Sequence, residues 1–123
     1  MKYIFKPYFF LFLLFTACSP VDESLINGEW AGIAVIEEGS PVNVDPTVIK
    51  MSFKDKGYTY ASTLNYKEAG TYHIDSKFLY TTDTINQAST EKAVEIVKLT
   101  VDSIVLKMNE DGRERFLIMG KVQ

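Results

Sequence analysis

The sequence predicts an all-β domain, an antiparallel meander of about eight strands that closes into a barrel. Two observations carry this. Apolar residues alternate with polar ones along most of the chain beyond Gly28, and the alternating stretches are separated by short turn sequences. Sequential hairpins build a meander, and closure removes the exposed edges that an open sheet would present. A partly open barrel or a flattened sandwich satisfies the same pattern.

Glu29 to Ile36 is the first strand. Ile49, Met51 and Phe53 alternate with Lys50, Ser52 and Lys54, which is the pattern of a half-buried strand with a polar outer face. Asp55-Lys56-Gly57 turns it, with Gly57 expected to supply the positive φ. Tyr58, Tyr60, Ser62 and Leu64 share one face of the next strand. Gly70 to Ile74 follows, and Asp75-Ser76-Lys77 turns it into Phe78 to Thr82. The β-branched stretch Ala93 to Val101 is a long strand, and Asp102-Ser103 turns it into Ile104 to Met108. Asn109 to Gly112 then leads into Arg113 to Val122. Helix signals are few. Val21 to Ile26 has room for one turn, and 85–92 is a weaker candidate within a loop-like stretch; Asp45-Pro46 marks another loop.

The residues ahead of the strands are of a different kind. Met1, Lys2 and Lys6 make a basic start, Tyr8 to Phe15 an apolar run, and Thr16-Ala17-Cys18 a small-residue ending. This is the build of a secretory signal peptide. The run is too short for a membrane span, which needs roughly 20 apolar residues. Phe15-Thr16-Ala17-Cys18 resembles the cleavage motif of bacterial lipoproteins, with Phe15 where leucine is commoner. The resemblance implies that 1–17 is removed and that Cys18 is acylated with two or three chains, since one chain alone binds a membrane only reversibly. Residues 18–27 are then the lipidated cysteine and its tether, and 28–123 the barrel domain. It also implies a location in the cell envelope, anchored through Cys18. Ser19 is not the aspartate associated with inner-membrane retention, which points to the outer membrane. Asp22-Glu23 resembles the acidic export signal of surface lipoproteins, so both the periplasmic and the surface face stay open. Cys18 is the only cysteine, and no disulfide is available to the domain.

The chain carries a formal net charge of −3, and two of its lysines, Lys2 and Lys6, lie in the signal segment. The remaining domain is more acidic still. It offers no electrostatic case for nucleic acid or for anionic lipid headgroups.

Gly28-Glu29-Trp30 resembles the G-x-W motif that opens the first strand of lipocalin-like domains. The rhythm of Met51-Ser52-Phe53, Gly70 to Ile74 and Leu99 to Leu106 is similar to that of small lipocalin-like lipoproteins of Bacteroidetes. The resemblance implies that Trp30 closes the base of the barrel and packs against an arginine of the last strand. Arg113 and Arg115 are the candidates, and Arg115 is the expected partner. It further implies binding of a small apolar or amphipathic ligand, with Met51, Phe53, Tyr58, Tyr60 and Tyr72 as lining residues. The pattern also departs from the family. Thr82-Asp83-Thr84 lacks the tyrosine of the second lipocalin signature, and no helix is expected between the last strand and Gln123. An eight-stranded barrel is just wide enough to be filled by its own side chains. Trp30, Met51, Phe53, Tyr58, Tyr60, Tyr72 and Phe116 are bulky enough to fill it. On that alternative the domain is an interaction module that docks a partner protein of the envelope.

The chain holds one histidine, His73, in mid-strand. One histidine without cysteine does not build a recognisable metal site. A Ser-His-Asp arrangement would need His73 with Asp75 and a serine such as Ser62, but His73 and Asp75 read as a solvated hairpin end. No G-x-S-x-G elbow or phosphate-binding loop occurs. The expectation is a non-enzymatic protein without a metal or other cofactor.

Overall fold

The computed structural model describes residues 21–86, 91–110 and 112–123. The signal segment 1–17 and Cys18 lie outside the described residues, as do 87–90 of the loop-like stretch. The strands are β1 (Gly28–Glu37), β2 (Ser40–Pro41), β3 (Lys50–Lys54), β4 (Gly57–Ala61), β5 (Lys67–Asp75), β6 (Phe78–Asp83), β7 (Glu91–Leu99), β8 (Ser103–Glu110) and β9 (Arg113–Lys121). From β3 to β9 each strand pairs antiparallel with the next. β1 pairs with β3 through Gly28 to Ala31 and with β9 from Trp30 to Glu37. The sheet is thereby closed, and the eight longer strands form the expected barrel. β2 is a short return that pairs with the end of β1.

Directly paired residues of antiparallel strands share a face. The cross-strand rows Trp30–Met51–Tyr60–Glu68 and Phe53–Tyr58–Gly70–Asp83 point inward. On the opposite wall Ile96, Leu106, Leu117 and Val35 form another inward row. Trp30, Phe53, Leu79, Ile104, Leu106 and Met119 are fully buried in this core, and Ile26 closes it from below. Each such aliphatic side chain contributes about 1.5–3 kcal/mol by leaving water.

The barrel has two unlike ends. At the base the chain enters through Val21 to Asn27, and the β3–β4, β5–β6 and β7–β8 turns meet the end of β9. The mouth carries the tip after β1, the β8–β9 turn and the starts of β5 and β7. Asp22 caps a 3-10 turn at Glu23–Leu25, its carboxylate accepting from the Ser24 backbone N–H at 3.1 Å. This is the single turn expected near the tether.

Four local expectations change. β4 stops at Ala61, and Thr63–Asn65 forms a 3-10 turn with Asn65 at φ 59, so Leu64 belongs to a turn rather than to the strand. Glu91 and Lys92 open β7 instead of ending a helix. The β3–β4 turn takes its positive φ at Asp55 (52) and Lys56 (66), not at Gly57. Lys54 pairs directly with Gly57, which leaves a two-residue loop, and this one takes the type I′ form, with positive φ at both central residues. Phe116 faces outward, because it pairs with Ile36 and Lys107 while its neighbour Leu117 pairs inward with Val35 and Leu106. A 3-10 turn at Pro46–Val48, capped by Asp45, was not signalled beyond the Asp-Pro loop. It lies so close to β1 that a Cβ on Gly32 would run into the Pro46 carbonyl oxygen.

Candidate functional site

The G-x-W segment closes the base by a specific set of contacts. Gly28 adopts φ +126, where a side chain is disfavoured, and a Cβ there would stand 2.6 Å from Lys121 Cε. Trp30 is 1 % exposed, and its indole N–H donates to the Ile26 carbonyl at 2.9 Å. The Lys121 ammonium lies 4.6 Å from the indole centroid and donates to the Asn27 carbonyl at 2.5 Å. A cation over an indole contributes about 0.5–1 kcal/mol when exposed and about 2 when desolvated. The two side chains together hold the incoming residues 25–27 across the bottom of the barrel.

This corrects the expected partner of Trp30. The cation does come from the last strand, but it is Lys121 rather than Arg115. In the β1–β9 register Trp30 stands opposite Lys121, and Arg115 stands opposite Glu37 at the far end of β1. There Arg115 donates to Glu37 Oε1 at 2.8 Å, and Arg113 lies 3.7 Å from Oε2. The Arg115 hydrogen bond, which outweighs the effect of burial, holds the Glu37 carboxyl below the usual carboxylate range.

The inward wall near the mouth carries a polar cluster that sequence reasoning missed. Glu68 is 7 % exposed. Its Oε1 accepts from the Tyr58 hydroxyl at 2.7 Å, and its Oε2 accepts from the Tyr66 hydroxyl at 2.6 Å and the Lys92 ammonium at 2.7 Å. Burial pushes the carboxyl up, but the bonds from Lys92, Tyr66 and Tyr58 together hold it below its ordinary value. Burial, with the bond to Glu68, pushes the Tyr58 phenol far up, and the Glu68 bond pushes Tyr66 up to about 12. Neighbouring Asp83 is 2 % exposed and accepts from Asn86 Nδ2 at 2.6 Å and the Ile85 N–H at 3.0 Å. The only available signal was parity: Glu68 shares a face with Gly70 and Tyr72.

Two clefts stand out on the barrel among the described residues. The larger, about 700 Å³, lies at the base between the incoming segment and the β3–β4 hairpin. Its apolar side is the half-buried Tyr72, packed edge to face on the fully buried Phe53 with ring centroids 5.0 Å apart. Glu23, Asn27, Asp55 and Lys56 surround them. The Tyr72 hydroxyl donates to Asn27 Oδ1 at 3.4 Å. Burial pushes the Tyr72 phenol up, and the carboxylates of Glu23 and Asp55 add to this. The smaller cleft, about 460 Å³, lies over β3 and β4 and includes Met51 and Tyr60 with Ala31, Ala61, Ile85 and Val122. Both volumes fall within the range of small-molecule sites, about 300–1,000 Å³.

The five residues expected to line one ligand site are therefore divided. Phe53 and Tyr72 meet at the base cleft, Met51 and Tyr60 border the outer groove, and Tyr58 is spent on Glu68. His73 stacks on Tyr80 with centroids 4.8 Å apart, and its Nδ1 lies 3.8 Å from Glu91 rather than beside a serine. Among the described residues no three potential metal ligands of the His, Cys, Asp and Glu types come together. No helix among them is long and apolar enough to cross a membrane.

No family model matches the chain, and no curated protein matches it. Solved structures do. The chain is similar to a lipocalin-like protein from Bacteroides uniformis, with a TM-score of 0.63 at 13% identity, covering 80% of this chain and 99% of that one. It is also similar to an uncharacterized protein from Bacteroides eggerthii, with a TM-score of 0.56 at 16% identity, covering 79% of this chain and 99% of that one. With the closed β1–β9 seam and the Trp30 base, these likenesses establish the fold as a lipocalin-like β-barrel.

Proposed function

We propose that this protein is a lipid-anchored lipoprotein of the cell envelope, at the outer membrane, whose barrel presents a binding site for a small amphipathic ligand without catalysing a reaction. The observation that carries the binding role is the base cleft. It sets the half-buried Tyr72 ring, backed by the fully buried Phe53, against a polar rim that includes Glu23, Asn27, Asp55 and Lys56. Such a lining suits a ligand with an apolar body and a charged or hydrogen-bonding end. The interior itself is filled by Trp30, Phe53, Leu79 and Met119, which favours a site beside the barrel over one inside it. The anchor rests on the signal-like segment and on Cys18. Fractionation of cells expressing Cys18→Ser tests it: the variant should move from the membrane to the soluble fraction, and unchanged membrane retention would refute the anchor.

A further inference from the structure

The tether is too short to leave the barrel free to face any direction. Cys18 and Val21 are three positions apart, a span of at most about 11 Å. Val21 already packs against the core, and Ile26 is fully buried beneath it. Any lipid on Cys18 therefore holds the base of the barrel near the membrane. The mouth stands away from it by the length of β1, whose residues rise about 3.3 Å each before tilt. The base cleft lies at this near end, and Glu23 belongs to both the tether-proximal turn and the cleft.

The charges around that cleft have both signs. Glu23 and Asp55 are close enough to Tyr72 to act on its phenol, while Lys54 and Lys56 flank Asp55 on the hairpin tip. Among the described residues none of these four side chains forms an ion pair within the protein. A purely anionic headgroup would meet Glu23, Asp55 and Glu29 as well as the lysines. A zwitterionic one has a group for each: its phosphodiester for the lysines and its ammonium for the carboxylates.

We propose that the barrel stands base-down on the membrane that carries it, and that the base cleft binds the headgroup of a zwitterionic phospholipid from that membrane. Lys54 and Lys56 hold the phosphate, Glu23 and Asp55 the ammonium, and the half-buried Tyr72 ring lies beside the headgroup. This deepens the amphiphile-binding reading and rests on it.

The test uses the full acylated chain in vesicles of phosphatidylethanolamine, phosphatidylcholine and phosphatidylglycerol that carry a headgroup quencher. Fluorophores are placed at Val101→Cys, on the exposed β7–β8 turn at the base, or at Ser40→Cys, near the mouth. The base label should be quenched several-fold more than the mouth label; equal quenching, or the reverse order, would overturn the orientation. Native mass spectrometry of the detergent-extracted protein should show one retained phosphatidylethanolamine. Lys54→Ala with Lys56→Gly should weaken that retention about tenfold or more, because each change removes a charge-assisted hydrogen bond to the phosphate. The Lys56→Gly change relieves a positive φ, so loss of fold is not the expected cause of lost lipid. Undiminished lipid, or phosphatidylglycerol retained as well as phosphatidylethanolamine, would overturn the assignment. Membrane retention of the wild-type chain in fractionated cells reports on the anchor separately. A wild-type chain found soluble refutes the anchor itself, whereas a retained chain with a distant base refutes only the inference.

Discussion

Glu68 is a costly side chain to place in the barrel, because a buried carboxylate must find partners for its lone pairs. Tyr58, Tyr66 and Lys92 supply them. Glu68→Ala should lower unfolding free energy by about 2–3 kcal/mol, since the buried Tyr58 hydroxyl loses its acceptor. Tyr66→Phe should cost less than about 1 kcal/mol, because Tyr66 is itself exposed to water. Urea midpoints of the two variants check the order, and a Glu68→Ala protein as stable as wild type would contradict it. This cluster was hidden in the sequence because Lys67-Glu68-Ala69 reads as a polar stretch ahead of a strand at Gly70. The same is true of Lys121. The lipocalin resemblance implies an arginine of the last strand, but which cation meets Trp30 depends on the β1–β9 register, and composition does not encode a register.

Among the elements, the β3–β4 hairpin shows what local pattern reveals and what it conceals. The alternation of Ile49 to Lys54 and the Asp55-Lys56-Gly57 cluster locate the strand and the turn correctly. Glycine is the residue best suited to positive φ, yet the pairing of Lys54 with Gly57 puts that demand on Asp55 and Lys56. A lysine held there costs about 1–2 kcal/mol relative to the right-handed region. Lys56→Gly should therefore raise stability by up to about 1 kcal/mol, after the larger backbone entropy of glycine in the unfolded chain is set against the relieved strain. A thermal melt of the variant checks this; a lowered midpoint would show that Lys56 is not strained. The hairpins as a class were legible for the same reason that they fold: each depends on neighbours in sequence. The short β2 and the Pro46–Val48 turn were not, since both exist to bridge β1 to β3 across the top of the sheet.

For the whole molecule, the closed barrel was legible as a strand count and a hairpin order, while its seam was not, because β1 and β9 come from opposite ends of the chain. The buried and half-buried carboxylates give the assembled barrel a pH response. Glu37, Glu68 and Asp83 are all held below their ordinary values. Unfolded carboxyls titrate near about 4, so on acidification the unfolded state takes up protons first. The stability these groups contribute is present above that value and is lost as pH falls through their folded values. Unfolding free energy in urea should be level from neutral to about pH 5 and should fall steeply by about pH 3. A flat profile across that range would contradict the carboxylate network. The strand that closes the seam has one more consequence. β1 enters at the base and is hydrogen-bonded along both edges near Trp30, to β3 on one side and to β9 on the other. A pull on the chain ahead of Val21, directed along β1, loads both ladders in shear, so many hydrogen bonds must slip together. The same pull across the strand would peel them one at a time. A barrel held through that segment would be gripped at its mechanically strong end.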